Sequence, residues 1–269
     1  MLDQYEKQLR QTNLSENTIL SYRYSLQQYL NTYGSSFSKK DLLAFKGELI
    51  ENYSPKTVNL RILAVNKYLE LNGLEDRKLK MVKVQQRNHL ENVISDADYL
   101  FLKDQLKKDG RMTWYFIVRY LAATGARVSE LVQIKIEHVR QGYVDIYSKG
   151  GKIRRLYIPS ALQSETLSYL KEIDAEESGY LFLNRFGEKI TTRGIALQLK
   201  TFAAEYGMDT RVVYPHSFRH RFAKNFLEQY NDIALLADLM GHESIETTRI
   251  YLRKTTSEQQ QIVDDIVTW

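Results

Sequence analysis

The chain has no cysteine among its 269 residues. Disulfides, cysteine-ligated zinc and thiol nucleophiles are therefore excluded. No apolar run reaches the length of a membrane span, and the first ten residues, MLDQYEKQLR, are too polar for a signal peptide. The expected location is cytoplasmic. No internal repeat or low-complexity tract is evident, and no glycine-rich phosphate loop precedes a helix, which argues against nucleotide-driven chemistry. Excess charge of one sign is also scarce, at +5 overall with a pI near 9.1. Residues 1–83 carry 13 Lys/Arg against 9 Asp/Glu, and the remainder 25 against 24. Such a balance permits nucleic-acid binding without demanding it, so any footprint must come from placing charges on one face.

What is present is mostly helical periodicity in two blocks. Leu2–Gln11 supplies a short helix. Ser15 caps Glu16–Tyr33, where Ile19, Tyr22, Leu26, Tyr29 and Leu30 recur at helical spacing. Ser38 with Asp41 resembles a capping box for a helix through Ile50, and Ser54-Pro55 opens Lys56–Leu71. Four short helices with brief loops make a compact bundle. Lys39, Lys40, Lys56, Arg61 and Lys67 are its candidates for phosphate contact, and a solvated helix face is the plain alternative for each. Residues 74–93 are charged and lack a clear apolar period, which reads as a linker with room for a short extended or helical piece. Ser95 with Asp98 then opens a second block. Helices there are expected at Tyr115–Ala123, from Ser160, and at Thr192–Tyr206, Arg219–Tyr230, Ile233–Leu239 and Ser244–Leu252. One hairpin interrupts them, with Tyr143–Tyr147 and Arg154–Ile158 as strands and Lys149-Gly150-Gly151-Lys152 at the turn.

Six side chains in this second block carry chemistry: Arg127 in TGARVSEL, Lys149 in SKGGKIRR, His216 and Arg219 in HSFRH, His242 in LMGHESIETT, and Tyr251 in RIYLR. Arginines can neutralise non-bridging phosphate oxygens as charge builds. A tyrosine can hold a phosphoryl group covalently, and a lysine or histidine can move protons. Together they are what breaking a phosphodiester without a metal or other cofactor requires. Each also has an ordinary reading. Arg127, after a helix-breaking Thr-Gly-Ala, is either a surface residue or one aimed into a cleft. Lys149 is a turn lysine, with Lys152 its rival for any role there. His216 and Arg219, spaced i, i+3 behind Pro215, are a capping histidine and an exposed arginine. Tyr251 is one of 19 tyrosines.

The order and local sequence of these segments resemble the tyrosine recombinase (phage integrase) family, strongly over residues 95–253 and more loosely over 2–71. The resemblance implies a mainly α protein. A small helical core-binding domain (1–83) and a linker (84–94) would precede a mixed, mainly α catalytic domain with a small antiparallel β-sheet (95–254, the DNA breaking-rejoining enzyme fold). Residues 255–269 would form a tail helix, docking in trans on a neighbouring protomer or folding back on its own domain. It further implies Tyr251 as nucleophile, Arg127, Arg219 and His242 on the scissile phosphate, and His216 in phosphate binding and proton transfer. Lys149 would be the general acid, with Glu130 in support and Lys152 as a further DNA contact. His220 is read as packing or hydrogen-bonding structurally. The departures are Met240 in the usual Leu-Leu-Gly-His run and Phe218 at an aliphatic position, both apolar exchanges. The implied partners are double-stranded DNA with specific recombination sites and further copies of the chain in a tetramer. A type IB topoisomerase and a DNA-binding protein without cleavage remain as alternatives.

Overall fold

Ser15 and Ser38 open helices as their positions predict: their hydroxyls accept from the backbone N–H of Thr18 (3.2 Å) and Asp41 (3.1 Å). Each thereby satisfies one of the donors that a helix start leaves free. The computed structural model describes residues 1–84, 92–147, 153–175, 179–242, 244–252 and 263–267. It divides into two compact units, Met1–Gln86 and Arg87–Trp269.

The first unit holds α1 (Leu2–Arg10), α2 (Glu16–Tyr33), α3 (Lys39–Asn52) and α4 (Pro55–Leu71). Tyr5, Leu26, Tyr29, Leu42, Phe45, Ile62 and Leu69 are at most 1% exposed and form its core. Aromatic rings bind the four helices together: Tyr29 stacks on Phe37 at 4.9 Å and meets Phe45 of α3 edge-on at 5.0 Å, Phe37 stacks on Tyr68 at 4.7 Å, and Tyr5 meets Tyr68 edge-on at 5.4 Å. The buried Tyr5 hydroxyl donates to Ala64 O, so its polar end is satisfied. Part of the charged segment expected as linker is folded onto this unit. After a 3-10 turn at Glu75–Arg77, the Asn66 amide pairs with both backbone groups of Leu79 (2.8 and 2.9 Å). Asn59 does the same for Val82 (2.8 and 3.0 Å). These two amides act as a one-sided ladder for an extended strap, a pairing that apolar periodicity cannot reveal.

The second unit is built around α6 (Met112–Thr124), whose Tyr115, Phe116, Ile117, Val118, Tyr120 and Leu121 are buried. Around it lie α5 (Asp96–Lys108), the short α7 (Val128–Leu131) and α8 (Ile136–Gln141), and α9 (Ser160–Glu172). The remaining helices are α10 (Thr192–Glu205), α11 (Pro215–Gln229), α12 (Ile233–Met240) and α13 (Ile245–Thr248). The hairpin pairs β1 (Tyr143–Tyr147) with β2 (Ile153–Tyr157), antiparallel, with Tyr143 opposite Tyr157 and Tyr147 opposite Ile153. The second strand thus starts and ends one residue before its expected position. Ile158 instead donates its N–H to Gly142 O, outside the ladder.

The other differences lie at helix ends. α11 begins at Pro215, a full turn before Arg219, because a proline at the first helical position costs no hydrogen bond. Expected as one helix, Ser244–Leu252 becomes α13 followed by a 3-10 turn, Arg249–Leu252. Side chains three apart eclipse where the winding tightens, which puts Thr248 (0% exposed) and Tyr251 (7%) on one buried side. Among the described residues no helix is long and apolar enough to cross a membrane.

Candidate active site

α12 ends in Leu239, Met240 and Gly241, and the last carbonyls of a helix have no partner within it. Three arginines from three other elements take them. Arg154 Nη1 donates to Leu239 O at 2.6 Å, Arg219 Nη2 to Met240 O at 2.6 Å, and Arg127 Nη2 to Gly241 O at 3.1 Å. The partial negative charge of the helix C-terminus offsets the repulsion among the guanidiniums. Arg219 Nη1 also donates to Gly125 O at 2.5 Å. Gly125 is itself required, because φ is +62° and a Cβ there would stand 2.4 Å from the Phe222 ring.

A single carboxylate balances this cluster. Glu130 accepts from the Arg127 backbone N–H (2.7 Å), from Arg127 Nη1 (2.9 Å) and from Arg154 Nη2. Burial alone would raise its pKa, but the Arg154 charge and the three hydrogen bonds outweigh that and hold it below the usual carboxylate range. Three guanidiniums against one carboxylate leave this cluster net positive, and Arg127, Arg154, Gly241 and His242 open it to a cleft of about 720 Å³ whose other charged lining residues are Arg155 and Asp238. Such a place suits an anion whose charge increases during reaction.

The histidines stand around this cluster. Arg219 Nη2 lies 3.1 Å from His242 Nε2, and since a guanidinium can only donate, Nε2 accepts. Nδ1 then carries the ring hydrogen and donates to Thr248 Oγ1 at 2.7 Å. Burial first, then the Arg219 and Arg127 charges, push His242 down to about 4, so it is neutral near pH 7. The Arg219 guanidinium is lowered to about 10, again by burial first and Arg127 second. His216 is solvent-exposed at the start of α11, with its pKa lowered by partial desolvation and by Arg219 and Arg127.

Tyr251 is buried beside them. Its ring stacks on His242 with centroids 6.4 Å apart and lies 5.5 Å from His220, whose Nδ1 is 3.0 Å from the Tyr251 hydroxyl. Burial raises the phenol pKa, and the Arg219 and Arg127 charges recover only part of that. Tyr251 is therefore protonated at neutral pH, and attack through its oxygen needs a proton acceptor.

Arg127, Glu130, Arg219, His242 and Tyr251 are thus brought together from distant parts of the chain, with His216 stacked 5.9 Å from His220 at the edge. Lys149 and Lys152 lie outside the described residues. In the first unit, Lys39, Lys40 and Lys56 are exposed, whereas Arg61 and Lys67 are half-buried and engaged. The Arg61 guanidinium lies 4.3 Å from the Tyr53 ring and 5.4 Å from that of Tyr24, and donates to Gln28 Oε1. Lys67 pairs with Glu70 at 2.6 Å. Among the described residues no group of three or more His, Asp or Glu side chains is placed to hold a metal ion.

Two members of the cluster escaped the sequence. Arg154 read only as a strand residue, yet strand alternation puts it on the inward face with Leu156. A charge at an inward position was the available signal. Thr248 gave none, since its contact with His242 forms only when α13 folds back after the end of α12.

The profile described as phage integrase family matches residues 92–258, and that described as phage integrase, N-terminal SAM-like domain, matches residues 2–72. The chain belongs to the phage integrase family. Among its relatives, the tyrosine recombinase XerA of Pyrococcus furiosus is 31% identical over 271 residues, covering 98% of this chain and 93% of the relative. The TnP I resolvase of Bacillus thuringiensis is 28% identical, covering 92% and 93%. Two solved structures share the fold. XerH bound to palindromic difH in a post-cleavage complex gives a TM-score of 0.73 at 20% identity, covering 100% of this chain and 85% of that one. A lambda integrase (75–356) dimer bound to a COC′ core site gives 0.72 at 18%, covering 93% of each.

Proposed function

We propose that this phage integrase family member is a site-specific DNA recombinase whose Tyr251 hydroxyl attacks a phosphodiester. The Oη–P bond forms as the P–O5′ bond breaks, leaving a 3′-phosphotyrosyl link and a free 5′-hydroxyl. The 5′-hydroxyl of a partner strand then reverses the step, so bond energy is conserved and no nucleotide or other cofactor is consumed. Arg127 and Arg219 bind the non-bridging oxygens, and Glu130 supports Arg127. His242, whose ring hydrogen goes to Thr248 in the DNA-free chain, donates to one of those oxygens once that hydrogen is carried on Nε2 instead. His216 assists phosphate binding and proton transfer, and Lys149 protonates the leaving 5′-oxygen. The observation that carries this reading is the convergence of Arg127, Arg219, His242 and Tyr251 on the C-terminus of α12. The relatives named as recombinases and resolvases favour recombination over simple relaxation of DNA.

In this reading residues 1–83 grip the DNA, with Lys39, Lys40, Lys56, Arg61 and Lys67 as phosphate contacts and Lys152 adding one from the hairpin. Residues 84–94 link them to the catalytic domain, 95–254. The protein works in the cytoplasm as a tetramer on two duplexes. Residues 255–269 form a tail helix that docks on the neighbouring protomer. Val263, Ile266 and Val267 support that role, being 45–60% exposed in the single chain. Deleting residues 259–269 should spare single-site binding and impair assembly and recombination, and a truncated protein recombining at full rate would exclude the tail's role.

The test of the central reading is a nicked suicide duplex carrying a site recovered from the DNA flanking the gene. The wild type should form an adduct resistant to denaturant. Tyr251→Phe should bind the duplex and form none. An adduct persisting in that variant would refute the reading.

A further inference from the structure

One interaction of the candidate nucleophile has no place in the roles above. His220 follows Arg219 on α11, and residues i, i+3 and i+4 share a helix face, so His216, Arg219 and His220 point the same way. Tyr251 is 7% exposed, and a buried hydroxyl hydrogen needs an acceptor. Among the described residues the polar side-chain atom in reach is His220 Nδ1, at 3.0 Å. Were Nδ1 protonated, it would donate to the phenol oxygen and leave the phenol's own hydrogen unplaced. The consistent arrangement has the Tyr251 O–H donating to Nδ1, with the ring hydrogen of His220 on Nε2.

We infer that His220 is the proton acceptor for Tyr251, a catalytic role rather than a packing one. As the Oη–P bond forms and the P–O5′ bond breaks, the phenolic proton passes to Nδ1 and His220 becomes an imidazolium. In rejoining, the same nitrogen returns the proton to the departing phenolate. The base therefore needs no bulk water at a site that buries its nucleophile. The groups facing the imidazole fix its charge before reaction. His216 and Arg219 lie on its own helix, His242 after α12, and Tyr251 on the 3-10 turn. Burial first, then His216 and Arg219, push its pKa down to about 4, so the ring is a free acceptor at neutral pH. A phosphate seated among Arg127, Arg219 and His242 brings the negative charge that raises its proton affinity when the proton must move.

This inference rests on Tyr251 being the nucleophile, and the test separates the two. Single-turnover adduct formation on the nicked duplex is measured for wild type, His220→Ala and His220→Asn, with DNA binding and thermal unfolding as folding controls. A general base contributes roughly 10²–10⁴-fold, so His220→Ala should slow adduct formation by at least about 10²-fold with binding retained. His220→Asn keeps a polar atom near Nδ1 that can hold the hydroxyl but cannot take its proton, and it should remain slow. Replacing Tyr251 by a difluorinated, more acidic tyrosine should narrow the gap between wild type and both variants. It should leave unchanged the deficit of Arg127→Ala, which acts on the phosphate. No wild-type adduct would overturn the nucleophile itself. A wild-type adduct with His220→Ala equally fast, a fully active His220→Asn, or a gap unmoved by the acidic phenol would overturn the proton-acceptor role alone.

Discussion

Replacing Arg154 by methionine tests the buried ion pair on which the site rests. Arg154 is 8% exposed and Glu130 10%, their side chains are in direct contact, and Arg154 also holds Leu239 O. Methionine fills similar volume but strips Glu130 of one of its two guanidiniums and leaves the Leu239 carbonyl without its donor. Removing one partner of a buried ion pair costs about 3–5 kcal/mol when the other charge is left uncompensated, and because Glu130 keeps Arg127 the low end, about 3 kcal/mol, applies. In a domain of this size 1 kcal/mol moves Tm by about 2–4 °C, so unfolding should fall by roughly 6–12 °C. Adding Glu130→Gln should recover part of the loss, since the half-paired buried charge is then gone. Gly241 approaches the same contact from the other side. Its φ is +62°, and a Cβ there would stand 2.2 Å from Arg154 Cδ and 2.5 Å from Nε, so Gly241→Ala should destabilise through the same arginine. Calorimetry of the single and double variants measures all of this. An Arg154→Met protein melting within about 2 °C of wild type would refute the reasoning, since it would put the pair below 1 kcal/mol.

Arg127→Ala and Arg219→Ala should each slow cleavage by about 2.7–4 kcal/mol in barrier, by analogy with a lost oxyanion donor, while weakening DNA binding far less. Equal losses in single-turnover rate and in Kd would make them ordinary phosphate anchors. Lys149→Ala should recover selectively on a 5′-thio duplex, whose leaving group needs little protonation, and rescue of Lys152→Ala instead would transfer the role to that lysine. The DNA-free protein should lose stability on acidification in two stages. The folded pKa values of His220 and His242 lie near 4, below their ordinary 6.5, so the unfolded chain binds more protons between those values and stability falls from about pH 6.5 downward. Glu130, whose folded pKa is depressed, adds a further loss below its ordinary 4.5. Urea midpoints at pH 7.5, 5.5 and 4 measure the slope, and an equal midpoint at the first two would contradict the histidine burial.

Helical periodicity and serine caps made most of the fold legible, because both are local. Ser15, Ser38 and Ser95 mark their helices in sequence and accept from the backbone three residues on in space. The extended strap beyond Leu79 was not legible, since Asn66 and Asn59 hold it by hydrogen bonds across 13 and 23 residues. The site shows the same division. Arg127, His216, Arg219, His242 and Tyr251 stand out because each sits in a recognisable short segment. Arg154 is hidden because its partners, Glu130 and Leu239, are distant in sequence and only packing unites them. His220 is visible as a residue but not as a contact, for Tyr251 reaches it only once α13 has tightened into a 3-10 turn.

Everything in the functional account depends on which tyrosine becomes covalently attached to DNA. The adduct trapped on a nicked duplex can be digested with protease and nuclease and the modified peptide sequenced by mass spectrometry. With 19 tyrosines in the chain, the assignment is discriminating. The account predicts a nucleotide linked through its 3′-phosphate to Tyr251. Attachment to any other tyrosine, or through a 5′-phosphate, would contradict it.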